Sequence, residues 1–323
     1  MAASATARIE YFAVAAALVF LVSWGIRGVV RRRKRKMSVR IPTKVGDPIA
    51  QQHFIESHKL FLEEFPALQS LIEEASRLSE AKCYPEPQCE QADAEPTDEE
   101  LAKRVAFYLE KAAYEDFGEL MILAGNGMGI GAKKTLRSMY ERLVTAMFIA
   151  KNPAEARIFL DHADIEKGKV LNRMIGTVPE LLNKDLTPEE IKRIQDAKKA
   201  ADAHKKIEYC DECNQPITDE AWTRVSLDAM AKKVDEDLLK LYGTCYLSPT
   251  LLMHATAFGL DLRFRKTEAG PEVHAHDALW RGHFLMLWLL RHQDSYFNLA
   301  LSQQIDARCS AFSTIWPEDR VAG

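Results

Sequence analysis

A few polar side chains in this 323-residue chain stand where their types and spacing could do chemistry. Arg137 and Glu141 lie four apart, so on a helix a guanidinium and a carboxylate share one face and can pair. Such a pair either locks neighbouring helices or lines a polar pocket. Tyr242, Ser248 and His254 fall in one stretch, YGTCYLSPTLLMH. Ser248, with Pro249 after it, reads as a helix N-cap, which uses its hydroxyl oxygen. No nucleophile elbow surrounds it, so a serine–histidine nucleophile is not indicated. His254 sits among apolar residues and reads as a buried histidine satisfied by a hydroxyl or carboxylate.

Arg157 and His162, in RIFLDH, have the R-x4-H spacing of HEPN-type ribonucleases, in which the histidine would act as base and the arginine would stabilise phosphate charge. Ile158 stands where a polar residue usually follows that arginine. Six cysteines occur. Cys210-Asp-Glu-Cys213 has the spacing of a zinc knuckle, and Cys83 with Cys89 could complete a four-thiolate site. Read more simply, these are two unrelated pairs, because a single C-x-x-C carries little information. No other cofactor is indicated. The glycines of Gly125-Asn-Gly-Met-Gly-Ile-Gly131 could cradle phosphate at a helix N-terminus, yet no strand precedes them and no Gly-Lys-Ser/Thr follows. They read as an interhelical loop.

The elements that must position these groups are helical. Thr97-Asp-Glu-Glu100 and Thr187-Pro-Glu-Glu190 are capping boxes, the second with proline in the first helical position. Apolar residues recur at helical spacing over 51–80 with a break at Pro66, from Leu101, over 133–150, and over 277–306; Pro153 opens a shorter helix. Alternating β-branched runs are nearly absent, which predicts an all-α body, a multi-helix bundle. The uncharged run Phe284–Leu290 is too short to span a bilayer and reads as core. We divide the chain into a segment at 1–36, a connector at 37–50, a helical extension at 51–85, an acidic, proline-bearing loop at 86–100, a helical domain at 101–310 and a tail at 311–323.

Charge separates the first segment from the rest. Residues 1–44 hold ten Lys or Arg against Glu10 alone, a net of +9. The whole chain carries −4, so the remainder carries −13. A body that acidic repels polyphosphate, and bulk nucleic-acid binding is not supported. Tyr11–Ile26 contains no charged residue, and the run extends through Arg27 to Val30. Twenty residues make about 30 Å of helix, enough to cross the hydrocarbon core. The block Arg31, Arg32, Arg33, Lys34, Arg35, Lys36 follows at once and would meet anionic headgroups. Charge after rather than before the apolar run argues against a cleaved signal peptide. The positive-inside rule then predicts a single transmembrane helix in a cell inner membrane, N-terminus outside and body cytoplasmic.

Taken together, Arg137-Ser-Met-Tyr-Glu141-Arg-Leu143, Arg157-Ile-Phe-Leu-Asp161 and Tyr242…Ser248…His254-Ala-Thr resemble the bacterial domain-of-unknown-function family 5677, over roughly residues 100–300. The resemblance implies a helical domain with a polar cluster of Arg137, Glu141, Tyr242, Ser248 and His254, and no established activity. The expectation is a membrane-anchored protein with an interaction or regulatory role. The alternative is a HEPN-like ribonuclease or other hydrolase built on the Arg/Glu/His cluster or on Arg157 and His162.

Overall fold

The structure, a computed structural model, describes residues 48–84, 95–177, 186–204, 222–223, 225–253 and 271–317. The anticipated membrane segment and basic block lie outside these residues, as do most of the acidic loop, Cys89, Cys210, Cys213 and His254. Every regular element among the described residues is helical. In chain order they are α1 (Pro48–Ser57), α2 (Lys59–Cys83), α3 (Asp98–Gly125), α4 (Gly129–Lys151), α5 (Glu155–Thr177), α6 (Pro188–His204), α7 (Leu227–Val234), α8 (Glu236–Leu241), a π-helical turn (Tyr242–Leu247), α9 (Ser248–Met253), α10 (Pro271–Phe297) and α11 (Ser302–Ile315). None is long and apolar enough to cross a membrane. The chain divides into two compact units.

The first unit comprises Met1–Thr97, Glu115–Leu136 and Leu252–Gly323. Its core runs along α2, which buries Phe61, Leu68, Leu71, Ala75, Ser79 and Cys83 on one face, against α10 and α11. The sequence predicted a break at Pro66, but α2 runs through it. An interior proline costs about 3 kcal/mol, and burial of Phe61 on one side and Leu68 on the other offsets it. The break comes instead at His58, whose dihedrals (φ −119°, ψ 26°) are not helical. Gly282 of α10 lets that helix approach α3 closely, since a Cβ there would stand 3.0 Å from Leu120. α10 ends sooner than its periodicity suggests. Asn298 and Ala300 take positive φ (53° and 60°), and Asp294 accepts from the backbone of Leu301 at 2.7 Å and the hydroxyl of Ser302 at 2.5 Å. Asn tolerates the left-handed region, and the aspartate holds the corner that starts α11.

The glycine-rich stretch resolves into a cap. Gly127 has φ +71°, its N–H reaches Ala124 O (3.1 Å), and Met128 N–H reaches Leu123 O (2.9 Å). This pair of bonds is a Schellman motif, in which glycine takes the left-handed position without steric cost. Gly129 and Gly131 already belong to α4.

The second unit comprises Asp98–Tyr114 and Arg137–Leu251. Ala102, Val105, Ile149 and Ala156 form one buried cluster, with Leu101, Leu109, Phe159, Leu160 and Trp222 packed on it. The indole of Trp222 meets Phe159 edge-on at 5.1 Å. α5 and α6 form a hairpin in which Gly168 makes room for the stem of Lys198. α6 starts at its anticipated capping box: Thr187 N–H donates to Glu190 (2.8 Å), and Glu190 N–H donates to the Thr187 hydroxyl (3.2 Å). Lys151 donates to Val234 O at 2.6 Å, covering an end carbonyl of α7.

Candidate functional site

The anticipated Arg137–Glu141 pair forms in the second unit, with Arg137 Nη2 at 3.6 Å from Glu141 Oε2. The larger partner is one the sequence reading passed over. The guanidinium carbon lies 4.7 Å from the centre of the Tyr246 ring, and Nη2 donates to its hydroxyl at 3.2 Å. Tyr242 stacks on Tyr246, centroids 5.3 Å apart and planes 25° from parallel. Arg137, Glu141, Tyr242 and Tyr246 therefore form one layer, and Tyr140 lies under it, donating to Leu238 O at 2.7 Å.

The π-helical turn builds that layer, and Pro249 accounts for the turn. Proline lacks an N–H and its ring crowds the carbonyl four residues back, so the preceding turn widens. Ser248 N–H reaches back five residues to Gly243 O, and the Thr250 hydroxyl donates to Tyr246 O at 2.6 Å. This corrects the reading of Ser248 as an N-cap. Its dihedrals (φ −58°, ψ −49°) are helical, and it lies inside a helical run from Glu236 to Met253. A proline after a serine marks a helix start only when the preceding residues cannot continue the helix, and here they do.

The electrostatics limit what this layer can do. Burial, then the neighbouring Cys245, Tyr242 and Asp228, pushes the Tyr140 phenol well above its ordinary value. Burial, then Asp228 and Tyr246, raises Tyr242 as well. Both phenols stay protonated, and Tyr140 acts as a hydrogen-bond donor rather than a base. A permanently charged guanidinium over a phenol is a cation–π contact that holds α4 to the π-helical turn.

Arg157 and His162 also lie in the second unit, both on α5. Arg157 Nε donates to Asp98 Oδ1 at 2.6 Å, and His162 Nε2 stands 3.6 Å from Glu166 one turn on. Five residues apart on a helix, the two project from different faces. Of the anticipated thiolate set only Cys83 is described, and it is buried at the end of α2. Among the described residues no three His, Cys, Asp or Glu side chains converge as metal ligands.

The first unit holds two polar groupings that sequence reading missed. Asp277 pairs with Lys133 through Oδ2 and with Arg281 through Oδ1 (2.9 Å), placing one carboxylate between two largely buried cations. The Asp277-x3-Arg281 spacing was legible as a helical pair; Lys133, far off in sequence, was not. Burial and then the Lys133 charge depress the imidazole of His274 beside them, with Asp277 acting in the opposite sense.

The second grouping is aromatic. His58 Nδ1 lies 3.0 Å from Phe54 O and its Nε2 lies 3.1 Å from His276 Nδ1. A carbonyl oxygen only accepts, so His58 carries its proton on Nδ1 and accepts from His276 through Nε2. The ring centroids are 5.2 Å apart, so the two nitrogens point nearly straight at each other. That is the geometry of a hydrogen bond. Trp316 packs edge-on against His276 (5.1 Å) and donates through Nε1 to His283 Nδ1 at 3.1 Å. Burial outweighs the Phe54 hydrogen bond and, with His276 and His53, lowers His58 to about 4. Burial alone lowers His283 to about 3. Both rings are neutral at physiological pH.

Compared with known protein families, residues 103–271 match the model of a family of unknown function, DUF5677. The match stops at the start of α10, short of the 300 suggested by the sequence motifs, and includes the whole of the Arg137–Leu251 segment. No curated protein and no solved structure matches the chain. With just over half of its length matched, the chain belongs to the DUF5677 family of unknown function.

Proposed function

We propose that this chain is a single-pass membrane protein that holds a helical body on the cytoplasmic face of a cell inner membrane, where the body acts by interaction or regulation. The observation that carries this reading is the uncharged run Tyr11–Ile26 followed by the six consecutive bases Arg31–Lys36. Lipid solvates such a run as a helix, and the basic block resists translocation. Support for an interaction role comes from the polar residues themselves. Arg137, Arg157 and His162 each engage a carboxylate of the same unit, and the phenols beside Arg137 are held protonated. Arg157 ties α5 to the start of α3 and Arg137 ties α4 to the π-helical turn, while His162 pairs within its own helix.

Fractionation of cells expressing the full chain tests the anchor: it should sediment with membranes, resist alkaline wash, and keep its body intact when protease is applied from outside. Recovery in the soluble fraction, or removal of the body by external protease, would overturn it. The catalytic alternative is tested by incubating the full chain with RNA. We expect the RNA to remain intact; cleavage abolished by His162→Ala would replace interaction with hydrolysis.

A further inference from the structure

Where the chain enters α1, three apolar side chains of the first unit are exposed together. Ile49 is 79% exposed, Met128 48% and Ile122 42%. Hydrogen bonds and one close contact bring them near each other. Gln51 donates to Asn126 Oδ1 at 2.6 Å, Asn126 donates to Ile122 O at 2.7 Å, and Ala50 lies so close to Gly127 that a Cβ there would stand 2.8 Å from it. The start of α1 thus lies on the α3–α4 turn. A shallow depression lined by Pro48, Ile49, Gln52, His53 and Glu56 extends the surface along α1.

We infer that Ile49, Ile122 and Met128 form a lipid-contacting patch through which the first unit rests on the bilayer. This rests on the anchor proposed above, and the tether is its main argument. Residues 37–47 separate the basic block from α1. Eleven residues reach at most about 40 Å even when fully extended. The chain therefore keeps the start of α1 within about 40 Å of the membrane surface. Full burial of one such side chain contributes about 1.5–3 kcal/mol, too little to recruit a free protein. A short tether makes contact intramolecular, at an effective concentration of order millimolar, where weak apolar contact suffices. Lipid is the occupant that the tether brings within reach without a second molecule.

The test uses the full chain reconstituted into phosphatidylcholine–phosphatidylglycerol vesicles, with a photo-reactive benzophenone side chain at Met128 or Ile122. A control position is Ile158, equally exposed but in the second unit. After vesicle flotation and illumination, mass spectrometry should show phospholipid adducts at positions 122 and 128 at least fivefold above position 158. Met128→Lys should reduce the adduct yield at position 122 by a similar factor. A chain-to-chain adduct at 128 would assign the patch to a second copy and overturn the inference, as would no adduct, or equal yields at all three positions. A chain that floats without adducts refutes the patch alone. A chain that fails to float refutes the anchor and the patch together.

Discussion

His58 and His283 should make the first unit sensitive to acid. Above pH 6.5, the ordinary value for the imidazole, both rings are neutral whether the chain is folded or not, and their titration adds nothing. As pH falls below that value the unfolded chain takes up protons that the buried rings refuse, so stability declines. The decline continues until pH passes the folded values, about 4 for His58 and about 3 for His283. At about 1.4 kcal/mol per pH unit, the His58 contribution is about 3 kcal/mol. Denaturant midpoints measured from pH 7 to pH 4 should fall accordingly. The fall should be shallower in His58→Phe, which removes one titrating ring; an unchanged slope would contradict this account. Arg157 makes a smaller prediction. Its tie to Asp98 is half-exposed, and Arg157→Ala should lower stability by no more than about 1 kcal/mol. Either histidine could be seen in the sequence as a ring near an apolar stretch, but not its partner: His58 and His276 are 218 residues apart.

At the scale of the element, two residues decide local geometry. Gly127→Ala would put a Cβ in the left-handed region and 2.8 Å from Ala50. The expected loss is above about 1 kcal/mol, read as a shift in thermal midpoint. Pro249→Ala restores an N–H and removes the ring that widens the turn. We expect the π-helical turn to close to an α-helix and the Tyr242–Tyr246 stack to separate, which a crystal structure of the variant would show. Retention of the widened turn would mean that Arg137 and Tyr140, not Pro249, sustain it. Helix starts at Asp98 and Pro188 were legible because capping boxes are local. The continuation through Pro66, the stop at Asn298 and the run through Ser248 were not, since each depends on packing or on a neighbouring side chain.

For the whole molecule, the apolar run and the basic block predict how the chain partitions. Removing residues 1–36 should release the remainder into the soluble fraction, because three partly exposed apolar side chains hold too little free energy to keep an untethered body on a bilayer. Continued sedimentation with membranes would show that the body itself binds them. Membership in DUF5677 covers 103–271, so the His58–His276–Trp316 grouping stands outside the matched region while the Arg137 layer stands inside it.

Helical class, the helix starts at the two capping boxes and the asymmetry of charge were decided along the chain, because periodicity, capping and charge runs act over a few residues. Which polar groups meet was decided only by tertiary packing. Lys133 joins Asp277 across 144 positions and His58 joins His276 across 218, and no local spacing encodes such encounters. The predicted Arg137–Glu141 pair was readable because it lies within one turn. The Tyr246 ring that covers it was hidden because a widened turn, not an ordinary helix, presents it.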